Sequence, residues 1–453
     1  MRLMLAMLIA LGLGLVSAVP ARAQTIEEAL VAAYLTNPDL QAQRAALRAT
    51  DELVPQALSD WRPTVAVDSA AIASDIDLPN DGGGNLNTAR ATIALDQRIY
   101  SGGETVANTE RAENLVRSER ARLVAFEQNV LLDAVTVYTN LLAAEAVLDF
   151  AIQNENRLRR QLQATQDRFE VGEVTRTDVA QAEARLSGAT ADRVRAEGEL
   201  AAAKADYRRV INQEPGRLVV PEPLRALPPS EPEAQRLAEV GNPNITVAQF
   251  DLAAARADVD VALSALLPRL TVRGELTYAH EPTLALDSQR EASIGANLTV
   301  PLYQGGGEYA RVRQTKQTVR QRQDDLEAAF RAVRNEVTAA WQAFLTATTQ
   351  IDSISEQVRA NLIAVEGARQ EALVGQRTTL DVLDQESDLF QSQVNLVQAR
   401  RDQIVASYRV KAAVGELTVP GINLPVEPYD PDAYYLDVRN RLIGLGGPLQ
   451  AER

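Results

Sequence analysis

The residues best suited to chemistry in this chain form one short run, Arg377, Asp381 and Asp384, directly after Val374-Gly375. Asp381 and Asp384 stand three apart where a helix begins, so their carboxylates project from one face. If that face lined a three-fold axis, six carboxylates would crowd one constriction, favouring cations, binding divalent or trivalent ions and resisting anions. The same residues also fit a local role. Asp381 follows Thr378 at the spacing of a capping box, and a carboxylate there suits the positive end of the helix. Spacing alone leaves both readings open. No other polar group sits in an acid/base or nucleophile setting, and a single histidine, His280, with no cysteine makes a zinc site untenable. Neither enzymatic activity nor a cofactor is expected.

The elements that must position these residues are written twice. Val171-Gly172-Glu173-Val174-Thr175-Arg176-Thr177-Asp178-Val179 recurs 203 residues later as Val374-Gly375-Gln376-Arg377-Thr378-Thr379-Leu380-Asp381-Val382. Tyr100-Ser101-Gly102-Gly103 recurs at the same offset as Tyr303-Gln304-Gly305-Gly306, so the chain is a tandem duplication. Between Gly103 and Gly172 lie 68 residues without glycine or proline. A helix of that length spans about 100 Å, and periodic patterns this long imply coiled-coil packing. The glycines at 172 and 375 read as left-handed caps at helix ends. Return helices are expected over about 175–212 and 378–414, and shorter ones over about 38–59 and 243–265.

Between the helices the period falls to two. In Leu270-Thr271-Val272-Arg273-Gly274-Glu275-Leu276-Thr277-Tyr278 the even positions other than Gly274 are apolar and the odd ones polar. Strands are expected at about 63–75, 88–99, 270–280 and 291–300, with polar turns over 77–87 and 281–290. One apolar and one polar face suits a transmembrane barrel with a wet interior. Four strands cannot close one, and lipid does not tolerate an open edge, so several chains must contribute. Residues 1–23, with Arg2, an apolar run from Leu3 to Val16 and Ala21-Arg22-Ala23, read as a signal peptide cut before Gln24. No later helix is expected to be apolar enough to cross a membrane, which leaves the strands. The formal net charge of −15 becomes −17 once Arg2 and Arg22 are removed, a sign unsuited to nucleic acid. The domain reading is a first repeat at 24–213, a proline-rich connector at 214–233, a second repeat at 234–415 and a periplasmic tail at 416–453.

The signal peptide, the duplicated strand-pair and hairpin halves, Pro301-Leu302-Tyr303-Gln304-Gly305-Gly306 and Val374-Gly375-Gln376-Arg377-Thr378-Thr379-Leu380-Asp381-Val382-Leu383-Asp384 together resemble the TolC family of outer-membrane efflux proteins. The resemblance implies a mainly α fold with a transmembrane β-barrel, built as a homotrimer with a 12-stranded barrel in the outer membrane of a Gram-negative bacterium and a 12-helix periplasmic tunnel. It implies a passive exit duct for tripartite efflux or type I secretion. Its partners would be a periplasmic adaptor touching the tips and an inner-membrane RND, ABC or MFS transporter that supplies the energy. The family's pattern makes Asp381 and Asp384 a selectivity ring. It pairs Arg377 with Thr177 and Asp178 of the neighbouring hairpin at a closed entrance, and gives Val171, Gly172, Val374 and Gly375 the adaptor contact. One departure is Ala372, where the better-known gate carries a tyrosine. A coiled-coil outer-membrane spacer without a lumen is the alternative of a different class.

Overall fold

A computed structural model describes residues 23–77 and 83–445. The expected signal peptide lies outside the described residues except for Ala23, as do the ends of the chain and part of the glycine-rich turn. The chain begins with a short strand, β1 (Ala23–Gln24), and three helices, α1 (Ile26–Thr36), α2 (Pro38–Asp51) and α3 (Leu53–Leu58), followed by a 3-10 turn at Ser59–Trp61. Strands β2 (Thr64–Ile76) and β3 (Gly84–Ser101) lead into α4 (Glu104–Glu170) and α5 (Arg176–Ile211). The second half repeats this order. A short β4 (Arg217–Leu218) precedes α6 (Glu231–Gly241), α7 (Pro243–Ser264), β5 (Arg269–Thr283), β6 (Leu286–Thr299), α8 (Gly307–Leu373) and α9 (Thr379–Ala413), and α10 (Asp432–Val438) lies in the tail.

Several boundaries differ from the expectation. The helix expected over 38–59 breaks at Glu52, because Pro55 has no N–H to offer the carbonyl of Asp51. Helices α1 and α6 lie outside the expected helices, and α6 takes in Glu231–Glu233 from the end of the expected connector. The turn expected over 281–290 is mostly ladder, since β5 and β6 stay paired as far as Thr283 and Leu286. Backbone pairing continues there although the apolar alternation has faded. Likewise β3 starts at Gly84, four residues early. One stretch of α4 is long and apolar enough to cross a membrane by composition, contrary to the expectation that no helix would be, but half of it is buried within the fold.

The four long strands form one antiparallel sheet in the order β2-β3-β5-β6. The principal core lies where the short helices and the tail pack around the middle of the long hairpins. Tyr34, Tyr138, Tyr207, Leu131, Leu141 and Ile211 are nearly or wholly buried there. The Tyr138 hydroxyl lies 2.8 Å from the Gln24 carbonyl and 2.7 Å from that of Val219, and accepts from the Val219 N–H. It thereby fastens the parallel β1-β4 pair to α4. Asn37 and Asn242 cap α2 and α7, and each side-chain amide also donates to the last turn of a return helix, at the Val210 and Ala413 carbonyls. The duplication visible in sequence is thus also a duplication of joints.

Candidate functional site

At both tips the helix closes in the same way. The Gly172 N–H donates to Phe169 O and the Glu173 N–H to Arg168 O; Gly375 to Ala372 O and Gln376 to Glu371 O repeat the pattern. These are the paired bonds of a Schellman motif, which requires the left-handed glycine found at φ 80° and 75°. A Cβ built on either glycine would meet nothing within 4 Å. Beside them Val171, Val374 and Leu373 are 71%, 70% and 66% exposed, an apolar surface that folding within the chain leaves uncovered.

The return helices start on full capping boxes. Thr175 Oγ1 accepts from the Asp178 N–H while Asp178 accepts from the Thr175 N–H at 2.8 Å. Thr378 and Asp381 do the same, at 3.2 and 3.0 Å. These hydrogen bonds, backbone first, hold both carboxyls below their ordinary value. Within the chain, therefore, Asp381 takes the capping role. Asp384 sits one turn on and pairs at 2.5 Å with Arg185 of α5. Arg377 pairs with Glu371 at 2.6 Å, not with Thr177 or Asp178, which lie on the other hairpin.

Two residues past Asp384, on the inner face of the same helix, stands a group that the sequence reading missed. Glu386 of α9 is 5% exposed at its side chain and is held from two sides, by Arg157 of α4 at 2.7 Å and by Arg369 of α8. Nearby, Glu155 accepts from Arg159, Thr190 and Arg193. A usable signal existed. Val382, Leu383, Glu386 and Leu389 fall at i, i+1, i+4 and i+7, all four buried, so Glu386 is a charge placed on the apolar stripe of its helix.

At the opposite end the sheet register sorts the side chains. Val65, Leu95 and Gly274 share one face, as do Val67, Ile93, Leu276 and, beyond them, Leu270 with Leu298. The other face carries Asp68, Thr92, Thr277 and Glu291 on one rung and Asp96 with Arg273 on another, the latter pair 3.6 Å apart. Thr92 and Thr277 hydroxyls lie 3.0 Å from each other. A sheet apolar on one side and polar on the other, attached to helices of 67 residues, can line a water-filled passage. Among the described residues no group of three His, Asp or Glu is arranged to hold a metal ion.

The sequence matches the family model described as outer membrane efflux protein over residues 29–213 and 235–416. It is 33% identical to the outer membrane efflux protein BepC of Brucella suis biovar 1 (strain 1330), over 94% of this chain and 93% of that protein. It is 29% identical to the outer membrane protein TolC of Vibrio cholerae, over 72% of this chain and 77% of the relative. The fold superposes on the CmeC outer membrane channel of Campylobacter jejuni with a TM-score of 0.80 at 16% identity, covering 92% and 89% of the two chains. The chain belongs to the outer membrane efflux protein family, whose members are proteins of the outer membrane.

Proposed function

We propose that three copies of this chain close a 12-stranded barrel continued by a 12-helix tunnel, and that the assembly is the passive exit duct of a tripartite efflux pump or a type I secretion system. The observation that carries the assembly is the pair of open edges. β2 and β6 each have a neighbour on one side only, and a sheet with an apolar face cannot leave unpaired edges in lipid. Three four-stranded sheets placed edge to edge remove all of them. The two repeats, 24–213 and 234–415, then each supply a strand pair and a hairpin, with the connector and tail packed on the periplasmic part.

The hairpin tips are the docking surface for a periplasmic adaptor, and an inner-membrane RND, ABC or MFS transporter drives export through it. The support is the exposed Val171, Val374 and Leu373 beside two glycines that leave open space. In the closed entrance Arg377 leaves Glu371 for Thr177 and Asp178 of the adjacent hairpin. An exposed pair of this kind is worth about 0–1 kcal/mol, a suitable size for a contact that must open. Gly375→Trp tests the docking surface. The variant is expected to remain a trimer in detergent, since the added ring enters open space and the strain of a left-handed tryptophan, about 1–2 kcal/mol, stays local to the exposed tip, but to lose adaptor co-purification and export. Normal export by a variant that carries the bulky ring would overturn the docking role.

A further inference from the structure

Arg290 is the exception on the apolar face of the sheet. Register places it opposite Tyr278, on the face that carries Leu270, Val272 and Leu276 in β5 and Leu298 and Ile294 in β6. Among the paired residues of that face it is the only lysine or arginine. Its guanidinium stands 5.8 Å from the centre of the Tyr278 ring. Among the described residues no carboxylate lies within salt-bridge distance, although the chain is strongly acidic, and the side chain is exposed.

Height along the sheet explains the placement. The helices join at the Arg269 and Thr299 end, so the Thr283 and Leu286 end points outward. From Leu270 to Tyr278 the strand rises roughly 26 Å, or about 20 Å along the barrel axis once strand tilt is included. That nearly spans the apolar band of an outer-membrane barrel, about 25 Å tall. Arg290 and Tyr278 therefore stand at its outer margin. A lipid-facing arginine is costly at the midplane and nearly free of cost at the margin.

We propose that Arg290, braced by Tyr278, binds the phosphate of an outer-leaflet lipid headgroup. Among the described residues of its own protomer this arginine has no carboxylate partner, which leaves its fork of donors free for a bidentate contact with phosphate, and the ring orients it. Tyr278 at the same time places an amphipathic ring at headgroup level. The assignment rests on reading the sheet as part of a lipid-embedded barrel.

Native mass spectrometry of the trimer, titrated with bis-phosphorylated lipid A, dephosphorylated lipid A, phosphatidylcholine and inorganic phosphate, tests it. The wild type is expected to retain the phosphorylated lipid, and Arg290→Gln to retain at least about tenfold less, the scale of a lost charge-assisted hydrogen bond. Arg290→Lys should be intermediate. Arg90→Gln, one rung away on the polar face opposite Ala279, should match the wild type. Equal retention by wild type and Arg290→Gln would overturn the site, as would equal retention of the dephosphorylated lipid. Protection by inorganic phosphate as strong as by the lipid would overturn the headgroup as its ligand. Planar-bilayer conductance is the separate check: conducting Arg290→Gln trimers without lipid retention agree with the proposal, while a wild type that never inserts would overturn the barrel reading itself.

Discussion

Glu386 is the residue on which the two hairpins of a protomer are joined. It belongs to α9, Arg157 to α4 and Arg369 to α8, so one carboxylate ties three of the long helices. Arg157 is only 17% exposed at its side chain and one of its terminal nitrogens is buried without a partner among the described residues, which leaves it dependent on Glu386. Glu386→Gln preserves shape but removes the charge. A buried pair broken on one side typically costs 3–5 kcal/mol, and the partial exposure of Arg369 reduces this to about 2–3 kcal/mol. The expected readings are a lower melting temperature and faster amide exchange in the first turns of α9. Restoring an apolar pair with Glu386→Leu and Arg157→Met should recover most of the loss, and an unchanged melting temperature in Glu386→Gln would remove the node from the account. The tip motif was legible in sequence because glycine, threonine and aspartate at fixed spacing have a local mechanism. Glu386 was legible only as a charge out of place on an apolar stripe, since the partners that justify its burial come from helices some 17 and 229 positions away.

At the scale of elements, the joint between α2, α4 and α10 carries a pH dependence. Asp51 at the end of α2 is fully buried, and neither carboxylate oxygen has a hydrogen-bond partner among the described residues. Burial pushes its pKa up to about 6, with Arg120 opposing and Asp432 reinforcing the rise. Arg120 meanwhile pairs with Asp432 at 2.5 Å, and Tyr434 donates to Glu52 at 2.7 Å, which clasp the tail helix against α2 and α4. The folded state thus prefers the protonated acid. That preference is fully satisfied below the ordinary value of 3.8 and is lost as pH rises through about 6. Asp51→Asn is therefore expected to stabilise the protein at pH 7.5, by on the order of 2 kcal/mol, with the advantage shrinking through pH 5 and gone near pH 4. Thermal unfolding of the two proteins across that range checks it, and a pH-independent difference would contradict it. Sequence showed α2 and the proline-rich tail separately. Their contact was invisible because it is made by single side chains more than 300 positions apart, with no periodicity to announce it.

For the whole molecule, the question is which carboxylates would charge the tunnel mouth of the proposed trimer. Counted by residue, Asp381 and Asp384 would contribute equally around a three-fold axis. The chain itself makes them unequal. Asp384 is neutralised by Arg185 of its own protomer, whereas Asp381 spends its hydrogen-bonding on Thr378, which carries no charge. In the proposed trimer a cap therefore does not exclude a selectivity role, because the oxygens that satisfy the helix start would still present a negative charge to the axis. Single-channel recordings should follow this asymmetry. Asp381→Asn is expected to lower the cation-to-anion permeability ratio and weaken block by trivalent cations by roughly tenfold, the scale of 1.4 kcal/mol across three charges. Asp384→Asn should do less, since it frees Arg185 while removing one carboxylate. Arg185→Gln should act in the opposite direction, raising cation preference by unmasking Asp384. Equal effects of the two aspartate substitutions would mean that the Arg185 pair dissolves in the assembled mouth, so that all six carboxylates act together.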